Sequence, residues 1–352
     1  MKIAVYTIAK NEEQFVERWA ESCKDADYRI ILDTGSTDRT VEIARSLGVD
    51  VQVKVVDPWR FDNARNSAME IVPKDADYCV ALDMDEVFTD GWREEMEKAT
   101  TTRPRYEYTW SWNDDGSPGL VYGGDKIHAR NGYVWRHPVH EVLSFTELET
   151  QEWLGLKIHH HPDHTKSRGQ YFPLLELAVS EDPEDDRNAH YLAREYFFHG
   201  MNEKAVAEFK RHLALPRALW RPERSASMRY LAKCDNPSEK ESWLLRAAAE
   251  SPDRRESWVE LSQLYYDRSD WTSCYSVSSR ALRITEKPLE YICDANAWGA
   301  VPHDMAAISS YRLGLYDVSV VHATNALDIE PDNARLIKNL EFCVSASIRD
   351  KE

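Results

Sequence analysis

Six cysteines are spread through 352 residues without one Cys-x-x-Cys pair. That leaves no disulfide framework and no thiol-based metal motif, and it fits free thiols in a reducing cytoplasm. No apolar run approaches the ~20 residues of a membrane-spanning helix. The opening MKIAVYTIAKNEE reads as a strand and lacks the apolar centre of a secretion signal. Positive charge is in deficit, 44 Lys and Arg against 61 Asp and Glu, for a net −17. This argues against a broad nucleic-acid surface, though a local basic groove stays open. Gly-x-Gly-x-x-Gly and Gly-Lys-Ser/Thr loops are also missing, which disfavours dinucleotide and NTPase chemistry. What remains is apolar substance: 42% hydrophobic residues with 12 Trp, 17 Tyr and 9 Phe, enough for real cores and two domains.

Up to about residue 165 the pattern alternates. KIAVYTIA, YRIILDTG, VDVQVKVV and YCVALDMD read as strands. EEQFVERWAESCKDA, STDRTVEIARSLG and FDNARNSAMEIV read as helices, the second with Ser36 or Thr37 near its N-cap and Gly48 at its end. Such alternation means an α/β domain with a mostly parallel sheet covered on both faces. Ligands of such sheets sit beyond the carboxyl ends of the strands. Three chemistry-bearing stretches fall there: Thr7 to Glu12, Asp33 to Asp38, and Asp83 to Glu86. From about 186 onward the reading is helical and repetitive. Ala189, Leu192, Ala193, Tyr196, Ala205 and Phe209 with Gly200 at the turn are echoed by Trp258, Leu261, Tyr265 and Ala281. Ala307, Ala323, Ala326 and Pro331 repeat the pattern again. This predicts a tetratricopeptide-like array of paired helices interrupted at about 286–304. The expected domains are 1–165 and 166–352.

Asp83 and Asp85, two apart at a fraying strand end, can reach one hard cation such as Mg²⁺ or Mn²⁺. Asp33 to Asp38 form a strand-to-helix turn of small residues, with Asp33 suited to accept from a base or ribose. His159, His160 and His161 follow WLGLKI; period two puts His160 on the face of Leu154, Leu156 and Ile158. One of them suits a third protein ligand to the metal.

The segments TIAKNEE, LDTGSTDRTVEIA, WRFDNARNSAME, LDMDE, WRHPVHEVL and IHHHPD occur in the order found in family 2 glycosyltransferases of the GT-A fold. The resemblance covers roughly residues 1–165, and the helical tail looks like that of one subgroup. It implies a nucleotide-sugar donor, UDP-linked first among candidates, a divalent metal at Asp83-Met84-Asp85, and inversion at the anomeric carbon. Donor contacts are then expected from Thr7, Ala9, Asn11, Glu12, Asp33, Gly35, Ser36, Arg65, Asp83 and Met84. Metal ligands are expected from Asp83, Asp85 and His160, with His161 the near rival. Arg65 would pair with the diphosphate bidentately; the plain alternative is a helix-surface arginine.

An inverting transfer needs a carboxylate that takes the acceptor's proton. Glu141 in VHEVL is the first candidate and Asp125 in GGDK the second, with His140 placed to orient acceptor or diphosphate. Structural alternatives are an Arg136–Glu141 ion pair or a helix cap. The acceptor stays open among a protein or peptide, a saccharide and a modified DNA base. Two other readings compete: a non-catalytic scaffold that binds nucleotide-sugar, and a nucleotidyltransferase. The latter is disfavoured because its Gly-rich N-terminal loop is missing.

Overall fold

A computed structural model of the chain describes residues 1–163, 169 and 171–352. The chain divides into two compact units, Met1–Glu181 with Leu289–Tyr291, and Asp182–Pro288 with Ile292–Glu352. The boundary expected at 165/166 lies outside the described residues.

In the first unit, β1 (Ile3–Ala9), β2 (Tyr28–Asp33), β3 (Asp50–Val53), β4 (Tyr78–Ala81) and β8 (Ile127–Ala129) make a sheet in the order β3-β2-β1-β4-β8. The first four strands run parallel and β8 closes the edge antiparallel. Helices α1 (Glu13–Ser22), α2 (Thr40–Ser46) and α3 (Phe61–Glu70) are the crossovers, as the alternating pattern requires. A second sheet joins β5 (Glu86–Phe88), β11 (Gln151–His160), β6 (Arg103–Thr109) and β7 (Val121–Gly124) in that order. The hairpin β9 (Tyr133–Arg136) and β10 (Val142–Phe145), with helices α4 (Trp92–Met96) and α5 (Tyr171–Glu181), completes the unit.

Period two sorts the first sheet into two cores. Ile3, Val5, Val80 and Leu82 pack with Trp19, Tyr106 and Ile158 on one face, while Ala4, Tyr6, Cys79 and Ala81 pack with Ala68, Trp135 and Leu143 on the other. Burial also alternates along β11, from Leu154 through Leu156 and Ile158 to His160. One expectation needs correcting: α2 starts at Thr40, with Arg39 rather than Ser36 or Thr37 at its cap. Ser36 and Thr37 are drawn away to the β1–α1 loop. Asn11 N donates to Ser36 Oγ at 2.8 Å, and Thr37 N donates to Asn11 Oδ1 at 2.8 Å.

The second unit is helical. Helices α6 (Asp186–Phe198) and α7 (Asn202–Ala214), α8 (Arg221–Cys234) and α9 (Lys240–Glu250), α10 (Arg255–Asp267) and α11 (Trp271–Leu282), and α13 (Val301–Arg312) and α14 (Tyr316–Ile329) form successive pairs. Short α12 (Ala295–Trp298) lies in the interruption and α15 (Ala334–Asp350) packs on α14. Alanines 193, 205, 232, 247, 307 and 323 are buried in the cores between helices, where small side chains let backbones approach. Helix starts follow local chemistry: Asp185 caps Asn188 N at 2.6 Å, Asp270 caps Ser273 N at 3.1 Å, and Pro opens α8 and α13. Gly200 takes a φ of 71° at the α6–α7 turn, which only glycine adopts without strain. All six cysteines are free thiols. Among the described residues no helix is long and apolar enough to cross a membrane.

The second core face of the first sheet holds a polar relay. Trp135 Nε1 donates to Tyr6 Oη at 2.8 Å, Tyr6 Oη donates to His128 Nε2 at 3.0 Å, and His128 Nδ1 donates to Ala129 O at 2.7 Å. Each group is satisfied only when the imidazole is neutral, and burial lowers the His128 pKa to about 4. The folded value lies below the unfolded one, so stability is complete above the unfolded pKa of about 6.5 and falls as acid protonates the unfolded chain. The full loss from this group is about 3 kcal/mol below pH 4. The ring carbon protons of His128 should therefore keep their NMR shifts from pH 7 to 5 while the urea midpoint declines. Titration of His128 near pH 6.5 in the folded protein contradicts this.

Candidate active site

The parallel strands end together, and their loops converge. Asp33 is 1% exposed and spends its carboxylate on its own turn, accepting from Gly35 N and Ser36 N at 3.0 Å and from Ser36 Oγ. Its acceptor capacity goes first to shaping the loop, a use the sequence reading did not foresee. Gly35 supports the turn with a φ of 111°. Asn11, at a φ of 56°, ties this turn to the β1 end, where Ala9 O accepts from Thr34 N at 2.8 Å. Glu12 N donates to Thr40 Oγ1 at 2.7 Å, and buried Thr7 donates to Ile8 O at 3.2 Å. Met84 turns its side chain into the core beneath.

Beyond β4 the acids of LDMDE separate into two sets. Asp83 meets Arg65 Nη1 at 2.8 Å and Lys126 Nζ at 2.5 Å. Arg65 Nε pairs with Glu141, and the guanidinium lies 5.1 Å over the Trp135 ring. Arg65 is 5% exposed, so it is a buried bridge between two carboxylates and not a helix-surface residue. Glu141 pairs with Arg65, while Arg136 is exposed. Glu86, 1% exposed, accepts from Asp83 N at 2.8 Å, Tyr108 Oη at 2.7 Å and Lys126 at 3.0 Å. Burial opposes the charge on Asp83, but Arg65 and Lys126 outweigh it and hold its carboxyl well below the usual range. Burial raises Glu86, although Lys126 pulls the other way. Its three donors nonetheless match an ionised carboxylate.

Asp85 belongs to the second set. His160 Nδ1 donates to Trp110 O at 2.9 Å, which aims Nε2 at Asp85 Oδ2 3.3 Å away. Burial lowers the affinity of that imidazole for a proton and Asp85 more than restores it, so the pKa of His160 is raised. Nε2 thus faces a carboxylate across a gap that favours a cation, whether proton or metal. One imidazole nitrogen and carboxylate oxygens are an acceptable donor set for Mn²⁺ or Mg²⁺, with a backbone carbonyl fixing the ring as metal-binding histidines require. His161 instead stacks on Trp112 at 5.5 Å, and His159 meets the same ring edge-on at 4.9 Å. With Glu86 ionised and His160 neutral, the acids Asp83, Asp85, Glu86 and Glu141 exceed Arg65 and Lys126 by two charges. Arg65 Nη1 is buried against Asp83 Oδ1 at 2.8 Å, so the guanidinium is already engaged on both sides.

Asp125 lies outside these contacts, paired with Arg103 at 3.0 Å, while its neighbour Lys126 enters the site. Lys126 was absent from the residues expected at the site, and Glu86, within the expected stretch Asp83 to Glu86, had been given no role of its own. The signal was present in GGDK and LDMDE, but nothing in the sequence distinguishes which acid or base of each turns inward. Beside Glu141, the rings of Trp59, Phe61, Tyr171 and His140 meet in succession at 5.1, 5.6 and 6.0 Å.

Residues 4–143 match the model of glycosyl transferase family 2. This part of the first unit is similar to family 2 glycosyltransferases. An uncharacterized glycosyltransferase of Rickettsia bellii is 38% identical over 108 residues, 30% of this chain and 35% of that protein. One of Rickettsia prowazekii is 33% identical over 108 residues, 30% of this chain and 36% of its own length. The chain spans about a third of the length of these curated relatives. Solved structures with similar helices include a thermophilic TPR protein of Thermus thermophilus, at TM-score 0.31 and 17% identity over 50% of this chain and 89% of that one. Another is the C-terminal part of a TPR repeat-containing protein of Cytophaga hutchinsonii, at TM-score 0.42 and 10% identity over 52% and 67%. Likenesses of that size leave the helical unit to be read from its own packing.

Within the first unit the Arg65 bridge sets a clear stability order. Arg65→Ala strands Asp83 and Glu141 and should cost about 3–5 kcal/mol. Glu141→Gln keeps the Arg65–Asp83 pair and should cost about 1–2 kcal/mol. Urea unfolding of both variants checks this, and equal losses contradict it.

Proposed function

We propose that the glycosyltransferase domain moves a sugar, with inversion, from a nucleotide-sugar to a hydroxyl-bearing acceptor. UDP-sugars are the first donors to try. The observation that carries this reading is the split of LDMDE into Asp83, held by Arg65 and Lys126, and Asp85, facing His160. Asp85 and His160 would hold Mn²⁺ or Mg²⁺, with Asp83 close by and His161 left to its stacking on Trp112. When bound, the ion would supply Lewis-acid stabilisation of the departing diphosphate.

The chain's own groups do the remaining work. Arg65 and Lys126 are cations fixed in place before substrate arrives, so they need little reorganisation to face a diphosphate. Their present partners, Asp83, Glu86 and Glu141, hold them ionised in a site that would otherwise expel charge. The loops carrying Thr7, Ala9, Asn11, Glu12, Asp33, Gly35 and Ser36 would receive the nucleotide, mostly through backbone groups. Glu141 takes the acceptor's proton once the donor draws Arg65 toward phosphate; Asp125 is the alternative base. The aromatic rings from Trp59 to His140 would flank the acceptor. Free thiols and the lack of a spanning helix among the described residues suit a cytoplasmic setting. For the acceptor, a peptide or protein, a saccharide and a modified DNA base remain candidates, to be separated by assay.

A second reading is a nucleotide-sugar-binding scaffold without turnover. It is favoured by one observation: both oxygens of Asp83 are already taken by Arg65 and Lys126. Donor hydrolysis decides between them. The full chain with Mn²⁺ should slowly release nucleoside diphosphate from one nucleotide-sugar, and Asp85→Ala should abolish release and metal-dependent nucleotide binding with the fold intact. A folded Asp85→Ala with full turnover rejects the metal site; binding without hydrolysis or transfer by the wild type selects the scaffold. Glu141→Gln should keep donor affinity and lower transfer to a hydroxyl acceptor by roughly 10²–10⁴-fold. Undiminished transfer in that variant, with Asp125→Asn inactive, moves the base to Asp125.

A further inference from the structure

The helical unit buries a second knot of ionisable groups. Asp186 stands in the first turn of α6, His212 in the last turn of α7 and Glu223 in the first turn of α8. His212 is fully buried and Glu223 is 2% exposed. Their ligand atoms all lie within 4.8 Å of one another, the one such trio among the described residues.

The two nitrogens of His212 are in different situations. Nδ1 lies 2.9 Å from Ser227 Oγ, and that hydroxyl lies 2.7 Å from Nδ1 of His190. Nε2 is buried and makes no hydrogen bond, with Glu223 Oε1 3.4 Å away. Acids in a first helical turn are ordinary, because they face the positive end of the helix. That accounts for Asp186 and Glu223 separately. It does not account for both converging on a nitrogen from a third helix, away from water, with no hydrogen bond made. With the ring proton on Nδ1, the Nε2 lone pair faces these carboxylates and is repelled unless a cation lies between them. Ligands about 2.1 Å from one tetrahedral ion stand roughly 3.4 Å apart, which the imidazole–carboxylate separation matches.

We propose that Asp186, His212 and Glu223 bind a divalent transition-metal ion of the zinc type, with water completing the shell, and that this ion clasps the ends of three helices. Behind the ligands, His212 Nδ1–H donates to Ser227, which donates to His190. This relay fixes the ring with Nε2 toward the ion, the outer-shell support that metal-binding histidines require. Burial keeps His190 neutral with a pKa lowered to about 3, so it can accept that bond. Burial, then Glu223, raises the carboxyl of Asp186. The clasp is independent of the glycosyltransferase site.

The test uses the full chain carrying Asp85→Ala, which removes the ion proposed at the strand end. After stripping with EDTA it is titrated with ZnCl₂ while bound metal per chain and melting temperature are followed. About one zinc should bind, and the melting temperature should rise by roughly 5–10 °C at a free concentration near 100 times Kd. Co²⁺ in place of zinc should give the visible absorption of a tetrahedral site. Adding Glu223→Gln, which preserves shape, should remove the bound zinc, the thermal shift and the cobalt spectrum together. Asp186→Asn, at the half-buried ligand, serves the same purpose if Glu223→Gln does not fold. The proposal is overturned if the Asp85→Ala chain binds no zinc, or if the folded second variant binds it equally well.

Discussion

The first unit depends on a buried guanidinium. Arg65, carried on α3, joins Asp83 from the end of β4 to Glu141 from the segment before β10, and Trp135 lies against its face. Three distant pieces of chain are thereby held at one point by charge. Such a bridge persists out of water because each partner would be costlier alone. Lys126 extends the bridge to Glu86, and Glu86 binds the Asp83 backbone and Tyr108. The second sheet is thus fastened to the first through the same ion pairs. A site built this way is rigid before substrate arrives, which is what electrostatic preorganisation requires.

The two knots of charge in this chain invite comparison. At the strand end Nε2 of His160 faces Asp85, and in the helical unit Nε2 of His212 faces Glu223. In each the opposite ring nitrogen is committed, to a backbone carbonyl in one and to a serine hydroxyl in the other. A histidine pinned at Nδ1 can present only Nε2, and its surroundings then select what that nitrogen binds. His128 shows the opposite outcome. Its Nε2 faces the hydroxyl of Tyr6 instead of a carboxylate, so the ring is a neutral link in the core.

Much of this was legible beforehand. Continuous apolar runs locate β1, β2 and β4 because both faces of a parallel sheet are buried, and the 3.6 period locates the intervening helices. Leu154, Leu156 and Ile158 put His160 on the buried face because β11 buries one face and alternates. The start of α2 was misread, since Ser36 and Thr37 are good caps locally but bond across to the β1–α1 loop. Lys126 and its pairing with Glu86 were missed because an ion pair between residues 40 positions apart leaves no periodic trace.

The sequence by itself determined the α/β unit, the strand ends where chemistry is possible, and the paired helices that follow. These depend on local periodicity and on the obligation to bury apolar faces. Only the tertiary structure decided the partners of each charge: Arg65 with Asp83 and Glu141, Asp85 with His160, and Asp125 away with Arg103. It alone also brought Asp186, His212 and Glu223 together from three helices. Coulomb energy depends on separation and burial, and neither is fixed until the chain has folded.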